Sequence, residues 1–327
     1  MVAIPTQTVN KVIKDFQSEI DDFILIAKGN LEDLRDKGIL TNAEKSFVIK
    51  ILTYDIRKII LASPTELDLF VKKIGKVPKQ RATKQGKRFK SLKDEIVERL
   101  GYSSLRSSFY PKYFQKIGIK ACVYCNSQLT VSTESIKKIN KKKIRYIKTY
   151  KAKFQVDHYY PKVEYPYLSI SLFNLYPVCA SCNNSKSDKE LIFELYSDNP
   201  TKLNKSDFEF SFVDGSVARY KTSKDIDDIE FTFNEPISIK NSFQKLFDIQ
   251  GIYNTQKDIA EELIRKSEIY TESYKKTLTT TFPQMFDNNS ISNRLIVGNY
   301  VEPENIHKRP MAKFMQDLAN QLELTIK

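Results

Sequence analysis

Apolar residues recur along the first hundred positions at the three-to-four spacing of helices that bury one face. Val9, Val12, Ile13 and Phe16 begin the series, and Ile20, Phe23, Ile24 and Ile26 continue it. A longer stretch, 47–61, carries Ile49, Ile51, Leu52, Ile56, Ile59 and Ile60 and reads as one periodic segment. Ser63-Pro64 breaks it. Pro64 suits the first turn of a following helix, where a missing N–H costs nothing. Residues 72–93 are basic and polar and include Gly75, Pro78 and Gly86, which predicts a loop or exposed linker. Helical spacing then runs through Leu105, Phe109, Tyr113 and Ile117 to Gly118.

The pattern changes in the middle of the chain. Residues 136–153 hold nine Lys/Arg and no acidic residue, and the alternation around Ile144, Arg145, Tyr146 and Ile147 predicts a hairpin or extended excursion. Beyond Pro200, Phe208, Phe210 and Phe212 alternate with Glu209 and Ser211, which predicts a strand. Asp214-Gly215 is the sort of pair that turns a hairpin, and Phe231 and Phe233 continue the alternation. Helical spacing returns over 243–281 and again over 310–324. No internal repeat or long heptad run is present.

Composition narrows the class. A length of 327 residues suggests roughly two domains. With 41% apolar residues the chain has material for a core and is no disordered polycation. Net charge is +13, but it is unevenly placed: residues 72–189 hold 27 Lys/Arg against 7 Asp/Glu, a local +20, and the remainder sums to −7. A basic block inside an acidic chain points to a polyanion partner, nucleic acid first. No run of about 18 apolar residues occurs, so no membrane partner is expected. Residues 1–10 do not read as a secretory signal, which makes a reducing cytoplasm the expectation. There, four cysteines point to metal before disulfides.

All four cysteines fall in two CxxC pairs, Cys122/Cys125 and Cys179/Cys182. Two such knuckles supply four thiolates to a tetrahedral zinc, and four thiolates leave no open position, so the site is expected to be structural. The 53 residues between the pairs exceed the usual ribbon spacing, so an element is inserted there. It includes Phe154-Gln155-Val156-Asp157-His158, an apolar strand ending in Asp-His, followed by Pro161 and Lys162. Leu172-Phe173-Asn174-Leu175 leads into the second knuckle, which continues as Asn183-Asn184-Ser185-Lys186.

This order resembles the HNH endonuclease family of the zinc-knuckle kind: CxxC, Asp-His at a strand end, a central Asn, then CxxC followed by Asn or His and a Lys. The match covers about 122–189, a fifth of the chain. The flanks, through Phe208 to Gly215 and Leu246-Phe247 to Lys266, resemble the larger HNH proteins of retron-linked and Septu-type anti-phage systems. The resemblance implies an α+β chain with a ββα-metal nuclease core at 118–200. A helical region, 1–117, and a C-terminal region, 201–327, of a hairpin and then helices would flank it.

Phosphodiester hydrolysis needs an activated water and a cation to neutralise phosphate and leaving oxygen. A neutral imidazole suits the first task, which makes His158 the expected general base. Asp157 and Asn183 offer two oxygens to a hard cation completed by waters and phosphate, the habit of Mg²⁺ or Mn²⁺. Many relatives have His where Asn183 stands, a departure that disfavours zinc or nickel there. By resemblance Asn174 is no ligand and pins the loop that carries His158, and the products are 5′-phosphate and 3′-hydroxyl ends. Lys162, Lys186, Lys141, Lys142, Lys143 and Arg145 are the expected phosphate contacts. His307 lies far from the motif and reads as structural. DNA is the expected substrate, with a co-encoded ATPase or another defence-system subunit as a further expected partner in anti-phage defence. The competing reading is a zinc-stabilised nucleic-acid-binding module with an inactive nuclease core.

Overall fold

A computed structural model describes residues 2–78, 90–139, 145–189, 191–204, 208–236, 242–286 and 289–326. Helices Thr6–Asp15 and Gln17–Asp36 bury Val9, Val12, Ile13, Ile20, Phe23 and Ile24, the expected stripe, whereas Ile26 faces solvent. The 47–61 stretch is not one helix. It divides into Asn42–Thr53 and Ile56–Ile60, because the Asp55 carboxylate accepts from Arg57 N at 3.0 Å and starts a new helix. Pro64 opens helix Pro64–Ile74 as expected, and the Glu66 carboxylate reaches back to Ser63 N at 2.9 Å. That helix contains Lys72 and Lys73, so the basic segment starts helical, and Gly75 ends it at φ 85°. Residues 79–89 lie outside the described part, and Ser91 caps the next helix, Leu92–Arg99. The stretch to Gly118 is two helices, Tyr102–Ser108 and Tyr110–Ile117.

Among the described residues the strands are β1 (Ile4–Pro5), β2 (Ser132–Ile139), β3 (Arg145–Ala152), β4 (Gln155–His158), β5 (Leu175–Val178), β6 (Tyr196–Ser197), β7 (Glu209–Phe212) and β8 (Phe231–Asn234). They form four two-stranded pairs. β1 runs parallel to β6, and the antiparallel pairs are β2/β3, β4/β5 and β7/β8. The basic excursion is therefore a hairpin. The expected turn at Asp214-Gly215 is a helix start instead. Gly215, at φ 76°, leads into helix Ser216–Ser223, and β8 returns only after it. Glu230 O accepts from both Val213 N and the Ser216 hydroxyl at 2.9 Å, which diverts the chain into the helix.

The chain is mixed α+β, and its buried apolar side chains form one continuous cluster through residues 1–117, 118–200 and 201–327. Hydrogen bonds cross the expected boundaries. Lys120 N and Ala121 N donate to His307 O, Asn126 Nδ2 to Ile306 O, and the Tyr253 hydroxyl to Cys125 O at 2.9 Å. Asp317, in helix Ala312–Gln321, accepts from Phe210 N of β7 and pairs with Lys313. Among the described residues no helix is long and apolar enough to cross a membrane.

Candidate metal centre and adjoining cleft

The first knuckle is a tight turn. Asn126 N returns to Cys122 O at 2.8 Å, Cys122 N donates to Gln128 O, and Asn126 takes the left-handed conformation. The second knuckle is a helix start, with Cys179 capping Ala180–Lys186 and its sulfur 3.5 Å from Cys182 N. All four cysteines are buried, and their Sγ atoms lie within 4.8 Å of one another. A zinc held by four sulfurs has an S–S edge of about 3.8 Å, and Cys125 and Cys179 stand 4.0 Å apart. Cys179 N also points at Cys122 Sγ, and the Ser127 hydroxyl at Cys125 Sγ, the outer contacts expected around thiolates. The four residues can hold a structural metal ion such as zinc.

That cluster joins the first knuckle to the start of helix Ala180–Lys186, which directly follows β5. Across the β4/β5 pair Asp157 faces Tyr176 and His158 faces Leu175. Asp157, His158, Lys162, Asn183 and Asp188 line one open cleft. His158 Nε2 lies 3.0 Å from Ser169 O. A carbonyl only accepts, so Nε2 carries the proton of a neutral ring and the Nδ1 lone pair stays available. Burial, then the charge of Lys162, pushes the His158 pKa down to about 3. The Tyr102 ring packs on the imidazole at 5.2 Å, and Lys162 Nζ sits 4.6 Å from the Tyr102 ring centre. Burial, then the Arg106 charge, holds the Lys162 ammonium below its ordinary range.

Asn174 is fully buried. Its Oδ1 accepts from Tyr160 N at 2.7 Å, and its Nδ2 donates to Leu168 O at 2.9 Å and Tyr160 O at 3.2 Å. The loop after His158 is thus tied at both ends to one amide. Asn183, which lines the cleft, gives its Nδ2 to Gln155 Oε1 at 2.6 Å, a bond that does not use its side-chain oxygen. Asp157 and Asn183, which line the same cleft, are the residues that could offer a carboxylate and an amide oxygen to a hard divalent cation completed by water and phosphate.

Lys186 departs from the sequence reading. It is 1% exposed, and its Nζ lies 3.0 Å from Asp157 Oδ2 and 3.3 Å from His158 O, so it cannot be a surface phosphate contact. The helix turns its side chain inward, where Asp157 compensates the buried charge. Lys141, Lys142 and Lys143 lie outside the described residues, and Arg145 opens β3 with its side chain outside them as well. His307 is buried, with Nε2 2.8 Å from Val2 O, in keeping with a structural role.

The sequence reading missed four participants. Tyr124, inside the first knuckle, donates its hydroxyl to Asp157 Oδ2 at 2.5 Å and stacks on Phe247 at 4.8 Å. Its position between two ligand cysteines was a usable signal. Asp188, two residues beyond Lys186, was within reach of the same motif. Tyr102 and Ser169 arrive from distant segments and had no local signal. A scan against protein-family models, a search of curated proteins and a search of solved structures each returned no match.

Proposed function

We propose that the protein is a metal-dependent HNH-type endonuclease acting on DNA. The observation that carries this is His158: a neutral imidazole, fixed by Ser169 O, lining one cleft with Asp157 and Asn183. In the proposed reaction Nδ1 takes a proton from water as the water oxygen bonds to phosphorus, and the bond to the 3′ oxygen breaks. Ser169 O keeps the ring oriented, and Asn174 keeps the loop behind it in place. Lys162 brings a positive charge to the cleft wall. A divalent cation held by Asp157 and Asn183 would neutralise charge on the phosphate and the departing oxygen. The resemblance of the flanks extends the reading to anti-phage defence with an ATPase partner.

The test is cleavage of plasmid DNA and of RNA with Mg²⁺ or Mn²⁺ by wild type and His158→Ala. Wild type should cut DNA, and the variant should lose at least about 100-fold in rate, the usual worth of a general base, with zinc content unchanged. Equal cutting by the two would sink the assignment. One observation favours the second reading, an inactive zinc-held binding module: Asp157 is already paired with Lys186. Salt-sensitive binding without turnover in any divalent metal would select it.

A further inference from the structure

The carboxylate of Asp157 is 6% exposed and already heavily engaged. Its Oδ2 accepts from the Tyr124 hydroxyl at 2.5 Å and lies 3.0 Å from Lys186 Nζ, which exhausts its two lone pairs. Its Oδ1 is 3.3 Å from the same ammonium and keeps one lone pair. The anion that should attract a metal thus has its charge cancelled at contact distance, in a setting where water screens little. The rest of the cleft does not restore it. Lys162 contributes a cation and Asp188 an anion to the lining, and Arg106 adds a positive charge beside Lys162, so with the Asp157–Lys186 pair these side chains carry no net negative charge. Asn183 adds only a dipole. A bare divalent cation finds oxygens of Asp157, Asn183 and Asp188 but no net negative charge. A phosphodiester lying in the cleft would supply both a negative charge and further oxygens.

Resting on the nuclease reading above, we infer that this centre takes up its divalent cation only together with nucleic acid. The buried Lys186 ammonium keeps metal affinity low in the free protein. Lys186 is on this account a positioning residue that makes metal loading depend on substrate, and Tyr124 fixes which carboxylate oxygen is offered.

The experiment measures Mn²⁺ affinity by the electron paramagnetic resonance signal of free Mn²⁺, using the 327-residue zinc-loaded chain with His158→Ala, which should not consume substrate. Titrations run with and without a duplex oligonucleotide. The same protein carrying Asp157→Asn serves to subtract Mn²⁺ held by the DNA. Duplex should tighten the Asp157-dependent site at least about tenfold, because it supplies the missing charge. Adding Lys186→Met should tighten Mn²⁺ binding without DNA by a similar factor and narrow the gap between the two titrations. Equal affinity with and without duplex overturns the inference, as does a folded Lys186→Met variant that binds no tighter. If Lys186→Met does not fold, the titrations on the Lys186 protein decide alone. Tight metal binding without DNA in a chain whose wild type cuts DNA defeats the inference and spares the nuclease reading. No Asp157-dependent site under any condition defeats both.

Discussion

Two buried histidines contribute to a loss of stability in acid. Burial pushes His307 down to about 4, and burial with the Lys162 charge takes His158 to about 3. In the unfolded chain both protonate below about 6.5. Above that pH neither contributes. Below it the unfolded state holds more protons, so stability falls as pH falls, at about 1.4 kcal/mol per pH unit for each ring until the folded value is reached. His307→Gln can still donate to Val2 O and removes one titrating ring. Urea unfolding between pH 6.5 and 5 should then show a slope shallower by about 1 kcal/mol per unit, and an unchanged slope would mean that His307 is charged in the fold. At this scale the sequence was legible where chemistry is local. Four cysteines in two pairs and an Asp-His step announce themselves by type and spacing. The inward turn of Lys186 was not legible, because the partner that lets a lysine be buried stands 29 positions away, on another element.

Among the elements, the hairpin of β2 and β3 carries the densest positive charge and grows from the loop that the four cysteines close. Lys148, Lys151 and Lys153 are exposed on β3 and its approach to β4, and Lys148 is partly answered by Glu134 at 2.8 Å. If this hairpin follows a phosphate backbone, changing the three lysines to Gln should lower the salt dependence of binding by about one unit of slope for each phosphate no longer neutralised. Fluorescence anisotropy with labelled duplex at stepped salt reads this directly. An unaltered slope would assign the backbone path to another face. The elements themselves were mostly readable from periodicity, and their breaks were not. Asp55 capping a new helix and Gly215 starting one are decisions by single side chains and distant carbonyls, and a period taken over ten or more residues averages them away.

For the whole molecule, the expected three regions share one core. The Tyr253 hydroxyl holds Cys125 O, Asn126 bonds Ile306 O and receives Lys313 N, and Phe243 and Phe247 pack on Tyr124. A fragment of residues 118–200 would leave these groups open to water. It should fail to give a cooperative thermal transition or near-ultraviolet circular dichroism even with zinc. A cooperative fragment would show that residues 118–200 fold without these contacts. Composition and motif could not foresee this, because contacts between residues 1–10, 120–126 and 300–317 leave no period or spacing in the sequence. The parallel pairing of β1 with β6 has a consequence for synthesis on the ribosome. Val2 and Ile4 are made well before residues 195–196 and His307, and they wait for these before their partners exist. Such long-range closure is slow and comes late. A growing chain therefore completes the Asp-His loop well before Phe243 and Phe247 are made, so the packing that steadies Tyr124 against Asp157 forms late.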